Sequence, residues 1–408
     1  MQPFGRLLAS YTVNDLGDSI GVVALAVLVF DRTHDVAPTA GFFLVAKFLP
    51  ALFATALTAH LDRHAVRRVL PAIYVIEALV FAVLAFLASG GRFLLPLVMV
   101  LGLIDGTLAI TGRGLTRGAV AAALGPHELI SEGNALMNLG FAASSVFGAA
   151  IAGLLIAAFD LSAALLVDAG SFLVIAVLLG TSARLPALEH HAYEPWHTRF
   201  RAGLSFARSN RLTRTLLTGQ SLALICFTIV VPIEVIYAKE SLHTTDAGYG
   251  LLLSAWGAGI VLGSLIFVGL KNRSGFGLIA VASALIGLAY LGMSQAGTLW
   301  LACVMSVVGG VGNGVQWVAV MTALQEATPD EFQARMSGLL ESIGAAMPGI
   351  GFLLGGVLAT VGSPRTAFFV AGVGILVLVA GALVLRPGYA RQTSTTTGKT
   401  IGRRLSRS

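Results

Sequence analysis

Asp15, Asp18, Lys47, Glu77 and Asp105 stand inside long apolar stretches of this chain, and Arg113 closes the last of those stretches. A charge at mid-bilayer depth costs roughly 2.5–3.5 kcal/mol on insertion scales, so each of them calls for a reason. At ~1.5 Å per residue, Asp18 falls about 3 Å to one side of the middle of its stretch and Lys47 about 3 Å to the other side of its own, so adjacent antiparallel helices can bring the two together. Two jobs fit such a pair. One is a proton relay, in which the carboxylate takes up a proton on one face of a membrane and gives it up on the other as its cationic partner moves. The other is a static ion pair. Glu77 and Asp105, near the centres of their stretches, extend the choice to a relay, a cation-selective cavity, or carboxylates that snorkel or stay protonated. Asp15 lies nearer an end, and Arg113 sits among Thr111 and Thr116 as either a working arginine or an interface anchor.

The elements that must position these groups are spanning helices. The chain has 408 residues, 56% hydrophobic and only 11% charged, with mean hydropathy +0.86. Soluble domains carry about 25% charged residues, which excludes an ordinary globular class. Apolar runs near the ~20 residues needed to cross ~30 Å of hydrocarbon fall at 9–30, 38–60, 69–89, 93–114, 134–158, 161–181, 213–237, 247–269, 276–294, 298–322, 337–361 and 364–385. The predicted fold is all-α and membrane-embedded, with twelve helices in two six-helix halves. The first half is 1–181, a linker occupies 182–212, the second half is 213–386, and 387–408 form a basic, disordered tail without an apolar face.

With the amino terminus inside the cell, 21 of the 26 lysines and arginines fall on the cytoplasmic side. That bias predicts a multi-pass protein of the cytoplasmic (inner) membrane with both termini inside. It also assigns the net charge of +6 to topology, so no nucleic-acid partner is expected. The start of the chain shows no cleavable signal pattern. Between the second and third runs lies a charged hinge, Asp62, Arg63, Arg67 and Arg68. Acid and base at a helix end can latch onto a neighbouring helix terminus, so these four residues are the expected cytoplasmic gate. In the linker, His190, His191 and His197 lack a cysteine partner, so a solvated segment with a short interfacial helix over 200–212 is expected and no metal site. Cys226 and Cys303 lie in apolar runs and make neither a disulfide framework nor a metal motif.

The halves repeat each other. Pro126-His127-Glu128-Leu129 followed by Asn134-Ala135 matches Pro329-Asp330-Glu331-Phe332 followed by Ser337-Gly338, and GFFLVAK at 41–47 matches GLLLSAW at 250–256. Two six-span units running the same way imply a parallel repeat about an axis along the membrane normal. That is a transporter architecture with its substrate site between the halves. The second half offers milder polarity for a cavity: Gln220, Glu234, Asn313, Gln316 and Trp317, with Asn14 in the first half. Glu234 is expected near the outer end of its span. Charge in the first half and amides and aromatics in the second suggest coupling in one and substrate packing in the other.

These features resemble the major facilitator superfamily over residues 8–386, and most of all its bacterial drug-exporter branch, which includes macrolide and enterobactin exporters. The residues that carry the resemblance are Leu16-Gly17-Asp18 in the first span, Leu61-Asp62-Arg63 with Arg67-Arg68 after the second, Arg113, Asn134-Ala135, and Asp168 with Ser171-Phe172. Thr58 stands where the family's loop signature opens with glycine. Gly148-Ala149-Ala150-Ile151-Ala152-Gly153 keeps the outer glycines of the exporter element and lacks its proline. The resemblance implies proton-driven antiport of an amphipathic small molecule (a drug, antibiotic or siderophore) by a monomer, with Arg113 in a proton-transfer or substrate-path role. No G-x-x-x-x-G-K-[ST] phosphate loop is present, so an ion gradient, not ATP, is the expected energy source, and no cofactor is called for. An importer or uniporter of a polar metabolite is the alternative. A membrane-embedded enzyme is the remote one, since it needs an interfacial acid cluster and an extramembrane domain that are not visible.

Overall fold

The computed structural model describes residues 2–61, 64–90, 93–124, 129–182, 204–270 and 275–384. Twelve helices among them are long and apolar enough to span a membrane. They are α1 (Gln2–Thr33), α2, α3 (Val66–Ser89), α4 (Leu95–Leu124), α5 (Ile130–Ala158), α6 (Leu161–Gly180), α7, α8 (Asp246–Leu270), α9 (Gly275–Gln295), α10 (Leu299–Glu326), α11 (Asp330–Val361) and α12 (Pro364–Val384). Two are interrupted. Helix α2 runs as Val36–Phe43, a π turn Leu44–Phe48 and Pro50–Leu61, and α7 runs as Arg211–Thr228, a 3₁₀ turn Val231–Ile233, Glu234–Ile236 and a π turn Tyr237–Ser241. Proline explains both places. Pro50 has no N–H to return to the Ala46 carbonyl, and Pro232 has none for Thr228, so each ladder is broken there. The widened turns show in bonds five residues long, Leu49 N–H to Leu44 O at 3.0 Å and Leu242 N–H to Tyr237 O at 3.0 Å.

In lipid every backbone polar group must be satisfied within the protein, which leaves helices as the spanning form here. Their ends are held by local chemistry. The Asp160 carboxylate accepts from Ala163 N at the start of α6, and Asn210 Oδ1 accepts from Leu212 N and Thr213 N at the start of α7. Helix-to-helix packing repeats between the halves. In the first, α1 packs on α5 and α6, α3 on α4 and α6, and α2 on α4. In the second, α7 packs on α11 and α12, α9 on α10 and α12, and α8 on α10. Adding six to each number converts one set into the other, the arrangement expected of a parallel repeat. Phe172, fully buried, anchors the α3–α6 contact against Tyr74 and Phe81 at ring separations of 6.2 and 5.5 Å.

The halves meet through α5 on α8 and α2 on α11, again a pair of equivalent contacts. On the α5–α8 seam the approach is backbone to backbone. A Cβ at Gly153 would lie 3.0 Å from Ala247 Cα, and one at Gly250 would lie 3.1 Å from Gly153 Cα. Phe43 meets Phe352 edge-on at 6.2 Å on the other seam. Both contacts lie toward the end of the bundle away from the termini. At that end Lys239 joins Asp31 of the first half and, at 2.7 Å, Asp246 of α8. Arg365 donates to the carbonyls of Ser294 and Ser241 at 3.0 and 3.1 Å. At the opposite end residues 204–209 are helical and rest on Leu217, Leu324 and Met336, with Phe206 stacked on Phe332 at 4.7 Å. The linker histidines, the tail and the 271–273 segment lie outside the described residues.

Candidate functional site

Arg113, in the second half of α4, is the hub of a charge cluster. Its Nε stands 3.3 Å from Asp15 Oδ1, and its terminal nitrogen donates to Asp18 Oδ2. One guanidinium therefore spans two carboxylates that are 3% and 8% exposed, one turn apart on α1. The planar fork of guanidinium donors fixes both directions at once, where an ammonium is a point charge. Asn14 Nδ2 donates to the same Asp18 oxygen at 3.1 Å. Arg117, one turn further along α4, donates to the Tyr11 hydroxyl at 3.3 Å. The expected Asp18–Lys47 pair is thus corrected: Asp18 is held by Arg113, and the helix that meets it is α4 rather than α2.

Lys47 stands in the π turn of α2 with its side chain exposed. Among the described residues no carboxylate lies within ion-pair distance of it. Asp105 is the carboxylate that the fold draws toward it. The backbone shows why. Gly106 presses on the Ala46 carbonyl, at a separation that leaves no room for a Cβ, so the residues flanking that contact, Asp105 and Lys47, are brought to one place. The same carbonyl is the one deprived of its donor by Pro50.

Glu77 is fully buried on α3, and both its oxygens are without a hydrogen-bond donor among the described residues. Asp168 on α6 is equally buried and has a particular seat. Its two carboxylate oxygens lie against Gly17 and Gly21 of α1, where any Cβ would overlap them, and Ser171 Oγ donates to one of them at 3.3 Å. The glycines flank Asp18 by one and three residues, which is how Asp168 joins the cluster. Motif resemblance singled out Asp168, but no residue-level reasoning placed it in the site. The Gly-x-x-x-Gly spacing of 17 and 21 was the available signal.

In the second half, Gln316 Nε2 donates to Gln220 Oε1 at 2.7 Å, tying α10 to α7 with both amides buried. Replacing Gln220 by leucine strands the Gln316 amide and costs about 1–3 kcal/mol. The double leucine variant recovers most of it, a difference that thermal unfolding in detergent reads directly. Asn313 is half-buried and Trp317 exposed. Glu234 is half-buried in the α7 interruption, seven residues before that span ends at Ser241. Of the expected gate, Asp62 and Arg63 lie outside the described residues, while Arg67 and Arg68 are exposed on the first turn of α3. Among the described residues, an ion-paired contact between the halves is made at the other end, through Lys239. No group of three or more His, Cys, Asp or Glu with metal-holding geometry occurs among the described residues.

A family model described as transmembrane secretion effector matches residues 2–396. The chain belongs to that family, within the major facilitator superfamily. This multi-pass transporter is similar to the uncharacterized MFS-type transporter YfiS of Bacillus subtilis (strain 168), at 23% identity over 93% of this chain and 91% of the relative. Among solved structures, the nucleoside transporter NupG (D323A mutant) superposes with TM-score 0.73 at 13% identity, over 94% of this chain and 99% of that one. A POT family transporter in complex with a thioalcohol conjugated peptide gives 0.72 at 13%, over 95% and 96%. At such identities these likenesses show the transporter fold. The family and its neighbours are transporters, not enzymes, and the chain is a membrane transporter of a small-molecule substrate.

Proposed function

We propose that this transporter is a proton-coupled exporter of amphipathic small molecules in the cytoplasmic membrane, working as a monomer with both termini in the cytoplasm. The observation that carries the reading is the Arg113 cluster: five buried carboxylates, Asp15, Asp18, Glu77, Asp105 and Asp168, share the span with two cations, Lys47 and Arg113. In a low-dielectric interior such a surplus of negative charge is neutralised by mobile cations, and the proton is the one whose uptake needs no ligand cage. Protonating Asp18 removes its attraction for Arg113. The freed guanidinium then turns wholly to Asp15 or toward the aqueous space, and α4 moves relative to α1. Coupling follows if that movement accompanies the switch between access states.

Sidedness rests on the distribution of basic residues, and with it the conformation sealed away from the termini is the one open to the cytoplasm. Export then proceeds from this state by loading substrate between the halves, parting the α5–α8 and α2–α11 seams, and closing the terminus end. The transporter supplies no phosphate loop, so the gradient does the work. The experiment uses everted membrane vesicles energised to an acid interior, with a panel of dyes and macrolides added outside. Addition of a substrate is expected to dissipate part of the proton gradient in wild-type vesicles, to an extent that Asp18→Asn abolishes. Dissipation that is the same in Asp18→Asn and wild type, or substrate uptake that persists after the gradient is collapsed, overturns the proposal.

A further inference from the structure

Asp168 is held in the cluster by shape, with no cation at ion-pair distance among the described residues. Its carboxyl group is fully buried between α6 and α1, and Oδ2 has no hydrogen-bond donor among the described residues. Oδ1 accepts from Ser171 Oγ at 3.3 Å. That hydroxyl also lies 2.8 Å from the Asp168 main-chain carbonyl, so its single hydrogen is shared. The rest of the seat is carbon. Gly17 and Gly21 present bare Cα atoms to the two oxygens. A Cβ at Gly17 would stand 2.5 Å from Ser171 Oγ, and one at Gly21 would stand 2.7 Å from the edge of the Phe81 ring. Phe81 packs in turn on Phe172, one turn beyond Asp168, at 5.5 Å.

Gly17 and Gly21 share a face of α1 that looks about a quarter turn away from Asp18, at ~100° per residue. Helix α1 therefore sits in a corner, its glycine face on α6 and its acid face on α4. On the α6 side the Asp168 carboxyl sets how deep α1 sits, and that depth fixes how Asp18 and Asp15 reach Arg113. We propose that Asp168 is a positioning residue of the transport cycle: its carboxyl group is a spacer between α6 and α1 that sets the Asp18–Arg113 contact, and it acts by shape rather than by carrying a proton. A carrier needs a partner or water within hydrogen-bond reach to receive its proton. Asp18 has such an outlet, through Asn14 and through an arginine that is itself 37% exposed. Asp168 meets only two glycines, a ring and one shared hydroxyl. On the helices packed against α6 the spanning acids are Asp15, Asp18 and Glu77. The α1 base that reaches α6, Arg6, donates to the Leu178 carbonyl at 3.4 Å, ten residues along from Asp168.

The inference rests on the reading of the cluster as the site of proton coupling, and its test sets shape against charge. Asp168→Asn keeps the outline of the carboxyl and cannot carry a proton. Asp168→Glu keeps the acid and adds a methylene that the glycine seat cannot take. In everted vesicles, Asp168→Asn is expected to transport more slowly than wild type with the pH midpoint of transport unmoved. Asp168→Glu is expected to lose transport by about tenfold or more. Asp168→Ala leaves a void and is expected to displace the pH midpoint as well as the rate, which a filler of space alone would not do. A proton carrier gives the reverse order, with Asp168→Glu active and Asp168→Asn inactive, and that order overturns the proposal. A second measurement needs no transport. Spin labels on the terminus ends of α1 and α4 in the purified full-length protein are expected to show the wild-type separation in Asp168→Asn and a changed one in Asp168→Glu and Asp168→Ala. Either altered variant suffices if the other does not fold, and a wild-type separation in it overturns the proposal. The expected separations in a protein that couples to no protons would retire the export reading and leave the spacer role standing.

Discussion

Arg113→Ala is expected to abolish transport and to destabilise the protein by about 1–3 kcal/mol, less than a fully buried ion pair because the arginine side chain is itself 37% exposed. The reason is the count of groups it serves. Asp15 and Asp18 are nearly fully buried, and the arginine is the one cation within ion-pair distance of either among the described residues. Without it two carboxylates face each other one turn apart with only Asn14 to offer a hydrogen bond. Arg113→Lys keeps the charge and loses the fork, so it retains stability better than activity. Asp15→Asn/Asp18→Asn/Arg113→Leu removes the charges together and is expected to recover the melting temperature while transport stays absent. Thermal unfolding in detergent and substrate flux in proteoliposomes separate the two effects. A single Arg113→Ala variant that transports at the wild-type rate would show that the cluster is structural.

The second large effect belongs to the α5–α8 seam. Gly153→Val places side-chain atoms into backbone on the facing helix, where a Cβ alone would already be 2.8 Å from the Asp246 carbonyl oxygen and 3.0 Å from Ala247 Cα. Backbone cannot rotate out of the way as a long side chain can, so the two helices must separate. The conformer sealed at this end is therefore penalised, and the Lys239 bridges to Asp31 and Asp246 are pulled apart with it. The expected result is a shift toward the alternative access state and a loss of transport of at least tenfold, about 1.4 kcal/mol per decade. Spin labels on the ends of α5 and α8 away from the termini report it as an increased distance in Gly153→Val relative to wild type. Unchanged distances with normal flux would mean that this seam does not govern access.

Both predictions depend on features that differ in how far the sequence reveals them. Twelve spans were legible because a spanning helix must be apolar for about 20 residues regardless of its neighbours, and the repeat because matched segments at 126–135 and 329–338 survive as identities of residue type. That Asp15, Asp18, Glu77, Asp105 and Arg113 belong to one problem was also readable, since lipid penalises each charge individually. The partnerships were not. Depth along the span placed Lys47 level with Asp18, but depth carries no information on which helix faces which. The glycines decide that: Gly106 draws α2 onto α4 and so sets Lys47 near Asp105, and Gly17 with Gly21 seats Asp168 against α1. Close approach is a property of two surfaces at once.

The same limit applies to the gate and to Glu234. A clasp such as Asp31–Lys239–Asp246 joins residues more than two hundred positions apart in sequence and exists only when the halves dock. Glu234 read as an acid near the outer end of its span because hydropathy measures position along a helix. Pro232 announces the break, but only the packing of the second half leaves the residue after it half-buried. What the sequence by itself determined is therefore what the bilayer imposes residue by residue: span number, repeat and the inventory of buried charge. Which of those charges meet, and at which end the halves close, was decided by tertiary structure, because pairing energies depend on distances between helices that no single helix encodes.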